Sequence, residues 1–205
     1  MSFSIKDMQS SHNRRLEAGV KEGIRGMREV EVKIIDVDRE RVEARLSSLG
    51  ATQTFDGDQL TIFFDYPANS IAMAKNLLRL RKTGDKTQLT FKKFIDSGSL
   101  KIRDEYEVLV SDFESMRLIL ESLGLSQTKR MEKHRTSYAL NNGVEVDIDK
   151  YAGEYSHIPE LLEIEGKDVE RVQLHAKLLG FQPEECKSWT TFDLIDYYSG
   201  KKAES

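Results

Sequence analysis

The chain has 205 residues, 39% of them apolar and 32% charged, with a net charge of −4 at pH 7. That apolar share is enough for one packed domain and excludes a disordered chain, and the acidic excess argues against a general nucleic-acid binder, which presents a basic face. No run approaches the roughly 18 apolar residues of a membrane span, the N-terminus lacks the apolar core of a secretion signal, and the single cysteine, Cys186, excludes an internal disulfide and a cysteine-based zinc site; a cytoplasmic protein without membrane or nucleic-acid partners is expected.

Residues 1–28 form a polar extension in which Leu16, Val20, Ile24 and Met27 stand at helical spacing, which predicts a short amphipathic helix. The domain proper is expected over 29–200. It opens with Glu29-Val30-Glu31-Val32-Lys33, an alternation of period two that predicts a strand with one apolar and one charged face. Asp36 or Asp38 then caps a helix that runs through Val42, Leu46 and Leu49 and stops at Gly50. Strands are predicted near 60–66, 76–82, 86–95 and 100–110, with a turn at Thr83-Gly84-Asp85. A helix from Asp112 to Gly124 carries Phe113, Met116, Leu120 and Leu123 on one face. Two more strands lie near 130–140 and 143–150, joined at Asn141-Asn142-Gly143. The last is Leu162-Glu163-Ile164-Glu165, and a helix from Asp168 to Gly180 follows with Val172, Ala176 and Leu179 on one face. Phe192, Leu194, Ile195, Tyr197 and Tyr198 are spaced for a terminal helix that packs against the sheet. A strand with a Glu-x-Glu pair precedes each of the three Leu-Gly-terminated helices, a weak internal repetition.

A charged alternate position on one strand usually means only that the strand has a face in water. Here nearly every predicted strand has one: Leu78-Arg79-Leu80-Arg81, Leu89-Thr90-Phe91-Lys92, Ile102-Arg103 through Glu105-Tyr106-Glu107-Val108, and Val144-Glu145-Val146-Asp147-Ile148-Asp149. Side by side, these strands gather Lys33, Arg79, Arg81, Lys92 and Arg103 on one surface with many carboxylates. If the three amphipathic helices cover the apolar faces from outside, the sheet closes, or nearly closes, with its charges inward. Such an interior costs stability unless water, metal and ligand satisfy it, so it points to function.

No phosphate-binding Gly-x-x-x-x-Gly-Lys loop is present, and His12, His134, His157 and His175 are scattered without metal-ligand spacing. Carboxylates two residues apart on a strand share a face and suit a hard cation, Mg²⁺ or Mn²⁺; the natural pairs are Glu29/Glu31 and Glu163/Glu165, with Asp147. One such pair is common by chance, whereas two pairs among arginines, whose guanidinium forks match phosphate oxygens, describe a metal-triphosphate site.

These residues resemble the CYTH domains, or triphosphate tunnel metalloenzymes, a family that includes class IV adenylyl cyclases, thiamine triphosphatases and inorganic triphosphatases. Glu29-x-Glu31-x-Lys33 matches the family's hallmark, and the likeness continues through Leu78 to Lys82, Leu89 to Lys92, Arg103 to Glu107, Lys133-His134-Arg135, Val146 to Asp149, Leu162 to Glu165 and Lys187-Ser188-Trp189. The resemblance implies an α+β fold, a closed eight-stranded antiparallel β-barrel with a charged interior and helices packed outside. It implies that Glu29, Glu31, Glu163 and Glu165, helped by Asp147, hold one or two divalent metals. Arg79, Arg81, Lys92, Arg103, Lys133, Arg135 and Lys187 would cradle a triphosphate. Lys33 would bind phosphate or help activate the attacking water; the second role requires neighbouring positive charge and burial to depress its pKa. Asp149 and Glu145 share the inward parity of Asp147, and Glu105 and Glu107 would orient basic side chains. Family members are often dimers, so a homodimer is compatible with the likeness, although no exposed apolar strip marks an interface.

The favoured activity is metal-dependent hydrolysis of inorganic triphosphate or of a triphosphorylated small organic molecule. A class IV adenylyl cyclase is the alternative; its bacterial type often carries a His-Phe pair before the first Glu-x-Glu, where this chain has Gly26-Met27-Arg28. A non-catalytic polyphosphate or nucleotide binding module is the third reading, disfavoured because all four principal glutamates are present.

Overall fold

A computed structural model describes residues 30–95, 102–141 and 143–200, and the side chain of Arg103 is not among what it describes. Glu29 and the helix expected before it lie outside these residues. Eight strands occur within them: β1 (Val30–Ile34), β2 (Thr52–Asp65), β3 (Leu77–Thr83), β4 (Lys86–Ile95), β5 (Ile102–Val110), β6 (Ser126–Leu140), β7 (Val144–Ala152) and β8 (Leu161–Gly166). All pair antiparallel in one curled sheet, in the order β1-β8-β7-β6-β2-β3-β4-β5. No helix of the described residues is long and apolar enough to cross a membrane.

The period-two pattern divides each strand between two faces. On the convex face, Ile34, Val144, Val146, Ile148, Leu162 and Ile164 pack under α1 (Arg39–Ser48) and α4 (Val169–Leu179), which contribute Val42, Leu46, Val172, Ala176 and Leu179. A second convex cluster joins Ile62, Phe64 and Leu80 to Phe113 and Leu120 of α3 (Phe113–Ser122). Each fully buried Leu or Ile contributes about 1.5–3 kcal/mol by leaving water. Aspartates start all three helices: the side chains of Asp38, Asp112 and Asp168 accept from the backbone N–H groups of Arg41, Ser115 and Arg171 at 3.2, 2.7 and 2.8 Å. Gly50, Gly124 and Gly180 end them at φ of 72°, 88° and 96°, the left-handed region that a side chain rarely adopts.

β2 and β6 are longer than the periodicity indicates. β2 begins at Thr52, where Thr54, Asp56, Gly57 and Asp58 interrupt any apolar alternation, and its pairing with β6 carries two register shifts. The short helix α2 (Ser70–Met73) is set by buried Asp65, which accepts from the N–H groups of Tyr66, Ile71 and Ala72.

Two expectations need correction. The sheet is an open half-barrel: β1 and β5 are its two edges and do not pair with each other. The outer edge of β1 is already used, because Lys33 and Lys187 exchange two backbone hydrogen bonds of 2.8 Å in an isolated antiparallel bridge. Nor do all helices lie outside. Leu194 and Ile195 of α5 (Thr191–Tyr198) pack with Phe63, Met131, Tyr151 and Leu161, so this helix covers one end of the concave face. The Tyr198 hydroxyl, 2.8 Å from an Asp36 carboxylate oxygen, ties it to the loop after β1.

Candidate functional site

In an antiparallel pair, directly opposed residues point to the same side. The register therefore lays the concave charges in rows across the sheet. Glu31 stands opposite Glu165, which stands opposite Glu145; in the next row Lys33 faces Glu163 and Glu163 faces Asp147; then Asp149 faces Arg135. This gathering depends on β8 lying between β1 and β7, which joins carboxylates from the two ends of the sequence. On the far side, β6, β3 and β4 bring up Lys133, Arg135, Arg81, Arg79 and Lys92, with β2 between β6 and β3.

The carboxylate side is knit by ion pairs. Lys33, only 2% exposed, pairs with Glu163 at 2.8 Å and with Glu31. Arg135 grips fully buried Asp149 with Nε and Nη2 at 2.7 and 2.6 Å and also meets Asp147 and Glu163. Lys133 pairs with Asp149 as well. Burial works against the charge on Lys33, but Glu163 and Glu31 outweigh it and hold the ammonium above the ordinary lysine range. Burial likewise opposes the charge on Glu163, and Lys133, Lys33 and Arg135 reverse it, holding that carboxyl well below its ordinary value. Burial raises Asp147, Arg135 only partly offsets this, and Asp149 and Glu163 add to the rise.

The depressed pKa that a water-activating role for Lys33 requires is therefore not found there. The neighbours of Lys33 are carboxylates rather than cations, and this keeps it charged. Lys133 is the lysine pushed down, first by burial and then by Arg135. Among the described residues no three carboxylates, histidines or cysteines converge as metal ligands; Lys33 and Arg135 instead occupy the carboxylate oxygens of Glu31, Asp147 and Glu163.

The basic side is less well matched. Glu105 pairs with Arg79 at 3.3 Å and Lys92 at 2.6 Å. Glu107 instead accepts from the Thr90 hydroxyl at 3.0 Å and the Gln88 amide at 2.6 Å. Arg81 donates to the Thr61 hydroxyl at 3.3 Å and has no carboxylate within 4 Å among the described residues. Burial, with Arg79 and Arg135 adding repulsion, pushes its guanidinium below the ordinary arginine value. Two buried side-chain atoms among the described residues lack a hydrogen-bond partner, Arg79 Nε and Gln59 Oε1, and both belong to this wall.

Of the residues expected at the site, Lys33, Arg79, Arg81, Lys92, Lys133, Arg135, Glu31, Asp147, Glu163 and Glu165 share the concave face. Lys187 lies beside Lys33 through its backbone, but its ammonium turns to the Glu184 carbonyl at 2.8 Å. Asp149 is more central than parity alone suggests. Gln59 and Thr61 also belong to the concave face; being uncharged they do not show in the charge pattern, although their odd positions on β2 put them on the same side as Phe63.

His134, between two site residues, faces the opposite way. Its Nε2 and Nδ1 lie 2.8 and 3.0 Å from Asp56 and Asp58 on the convex side. Hydrogen bonds to Asp58 and Asp56 raise its pKa above the ordinary 6.5. The stability they contribute is fully present below that ordinary value and is lost as pH rises through the folded one. Melting temperatures taken from mildly acidic to mildly alkaline pH should therefore fall across this window, and His134→Gln should flatten the slope.

The chain matches the family model of the CYTH domain over residues 27–179. It is similar to a Methanocaldococcus jannaschii protein provisionally named an adenylate cyclase, with 31% identity over 128 residues, 62% of this chain and 72% of that one. A Pyrococcus horikoshii protein of solved structure shares 25% identity and superposes with a TM-score of 0.67, over 81% of this chain and 98% of that one. A Hippeastrum protein, provisionally an adenylyl cyclase but described as revealing a dominant triphosphatase activity, is alike in fold: its TM-score is 0.58 at 17% identity, over 87% of this chain and 98% of that one.

Proposed function

Since this chain belongs to the CYTH domain family, we propose that it is a divalent-metal-dependent phosphohydrolase acting on inorganic triphosphate or a triphosphorylated small organic molecule. One observation carries the reading. A wall with donors to spare, Arg79 Nε without a partner and Arg81 without a carboxylate, faces a bank of carboxylates across one concave surface. A polyphosphate with its metal is the ligand that answers both signs.

The donors are carboxylate oxygens, the type that Mg²⁺ or Mn²⁺ prefers. Glu31 and Glu165 stand directly opposite each other, and Glu163 and Asp147 lie one row on, so four hard oxygen donors share one patch of the concave face. These four would hold the metal, which when bound supplies positive charge to the oxygens of the transferring group. Lys33 and Arg135 neutralise the same carboxylates without it and would release them as metal enters. Arg135, Lys133, Arg81 and Arg79 orient the phosphate chain and stabilise charge that builds on it as the bond to the leaving oxygen breaks. The charged ammonium of Lys33 serves here as an electrostatic group rather than as a base.

The alternative is a class IV adenylyl cyclase, and the name of the M. jannaschii relative favours it. The concave face weighs toward hydrolysis: its free donors read phosphate, while Phe63, Tyr151, Tyr155, Trp189 and Phe192 are packed together with α5. Incubation with Mg²⁺ or Mn²⁺ and either tripolyphosphate or ATP should release orthophosphate. Formation of pyrophosphate with cyclic AMP would replace this reading by the cyclase.

A further inference from the structure

We propose that Gln59 is a phosphate-contacting residue, a neutral hydrogen-bond donor set among the cations of the concave wall. The inference rests on the triphosphate reading of that wall and adds to it a residue that charge patterning does not reveal.

Gln59 is 4% exposed, yet its amide is half satisfied: Nε2 donates to the Thr83 hydroxyl at 3.0 Å and Oε1 has no partner. A buried unpaired amide group costs about 1–3 kcal/mol, so such a group is retained where something else completes it. Its surroundings say what that is. Gln59 stands opposite Lys133 on one side and Thr83 on the other, and one step along the same face Thr61 stands opposite Arg81. Lys133 is 9% exposed, and the Lys133–Asp149 pair directs its ammonium away from Gln59 Oε1. A ligand that reaches Gln59 would have Lys133 directly across on one side and Arg81 one step along on the other, a setting that favours an anion.

A half-turn of the amide completes the arrangement. The Thr83 hydroxyl, which now accepts from Nε2, can equally donate to Oε1. Nε2 is then free to donate to a phosphate oxygen, and the hydroxyl, the carbonyl and the amine are all satisfied. Without the anion, either orientation leaves one end of the amide bare. A neutral donor also suits this position because Arg79, Arg81, Lys133 and Arg135 already repel one another; a further cation would add to that repulsion.

The test is calorimetric titration of the full chain with tripolyphosphate and, separately, with ATP, without divalent metal so that turnover does not intervene. Gln59→Leu keeps the side-chain volume and removes the hydrogen bonds. It is expected to weaken both ligands alike, by about tenfold to a hundredfold, and to melt no lower than wild type without ligand, since the bare acceptor is gone. Gln59→Glu, an acceptor-only anion beside Lys133, should bind both ligands more weakly still and keeps the test open should the leucine variant fail to fold. Unchanged affinity in a folded variant would overturn the proposal, and loss confined to ATP would overturn it by moving the contact to the nucleoside. Absence of tripolyphosphate binding by wild type without metal, together with no orthophosphate release when Mg²⁺ or Mn²⁺ is added, would instead remove the triphosphate reading itself, and the Gln59 contact with it.

Discussion

Glu163→Gln should abolish metal-dependent triphosphate turnover and, at the same time, lower stability by about 3 kcal/mol. The substitution is nearly isosteric, so packing does not explain the loss. Glu163 is largely buried, pairs with Lys33 at 2.8 Å and with Arg135, and feels Lys133 as its strongest charged neighbour. Losing one member of a buried ion cluster leaves its partners desolvated and unmatched, which costs more than the pair contributes when intact. It also removes a carboxylate from the middle of the row that would hold metal. The drop in turnover should be at least about a hundredfold, the scale of losing one group that stabilises developing charge. Urea unfolding and orthophosphate release read the two effects separately. A variant with wild-type turnover would dissociate the carboxylate bank from the chemistry.

Arg81→Met is expected to move stability and binding in opposite directions. Arg81 carries a guanidinium whose charge is disfavoured in the fold, first by burial and then by Arg79 and Arg135, and its one direct partner is the Thr61 hydroxyl. Replacing an unmatched, largely desolvated charge by an apolar chain of similar length should stabilise the unliganded protein by about 1 kcal/mol. Tripolyphosphate affinity should fall by about tenfold or more, because a bidentate donor to the phosphate chain is lost. Thermal melting without ligand and titration with tripolyphosphate test the pair of signs. A destabilised variant that binds as tightly as wild type would show Arg81 to be structural.

Much of this arrangement is legible in the sequence because it rests on local rules. Period two sorts Ile34, Ile62, Ile148 and Ile164 from Lys33, Thr61, Asp147 and Glu163, and the Asp caps and Leu-Gly ends bound three of the helices. The motif-bearing residues fall where parity sends them, and Glu105 meets two bases as expected. What escapes is set by contacts between distant segments. Nothing local says that β8 enters between β1 and β7, or that the backbone of Lys187 takes the edge β1 would need to meet β5. The same holds for α5: its apolar residues predict a packed helix but not the face it covers. Lys33 shows the limit for chemistry, since its pKa follows from the two glutamates beside it rather than from its place in a motif.

The match to the family model ends at residue 179, whereas the architecture does not. Beyond that point lie the strand-like contact at Lys187, the helix over Phe63, Met131, Tyr151 and Leu161, and the tether from Tyr198 to Asp36. A truncation after Leu179 would bare one edge of the sheet and wet the aromatic floor next to the charged rows. The end of that match thus cuts through one packed unit, and residues 180–200 are as much a part of the wall around the charged rows as the strands that carry the motifs.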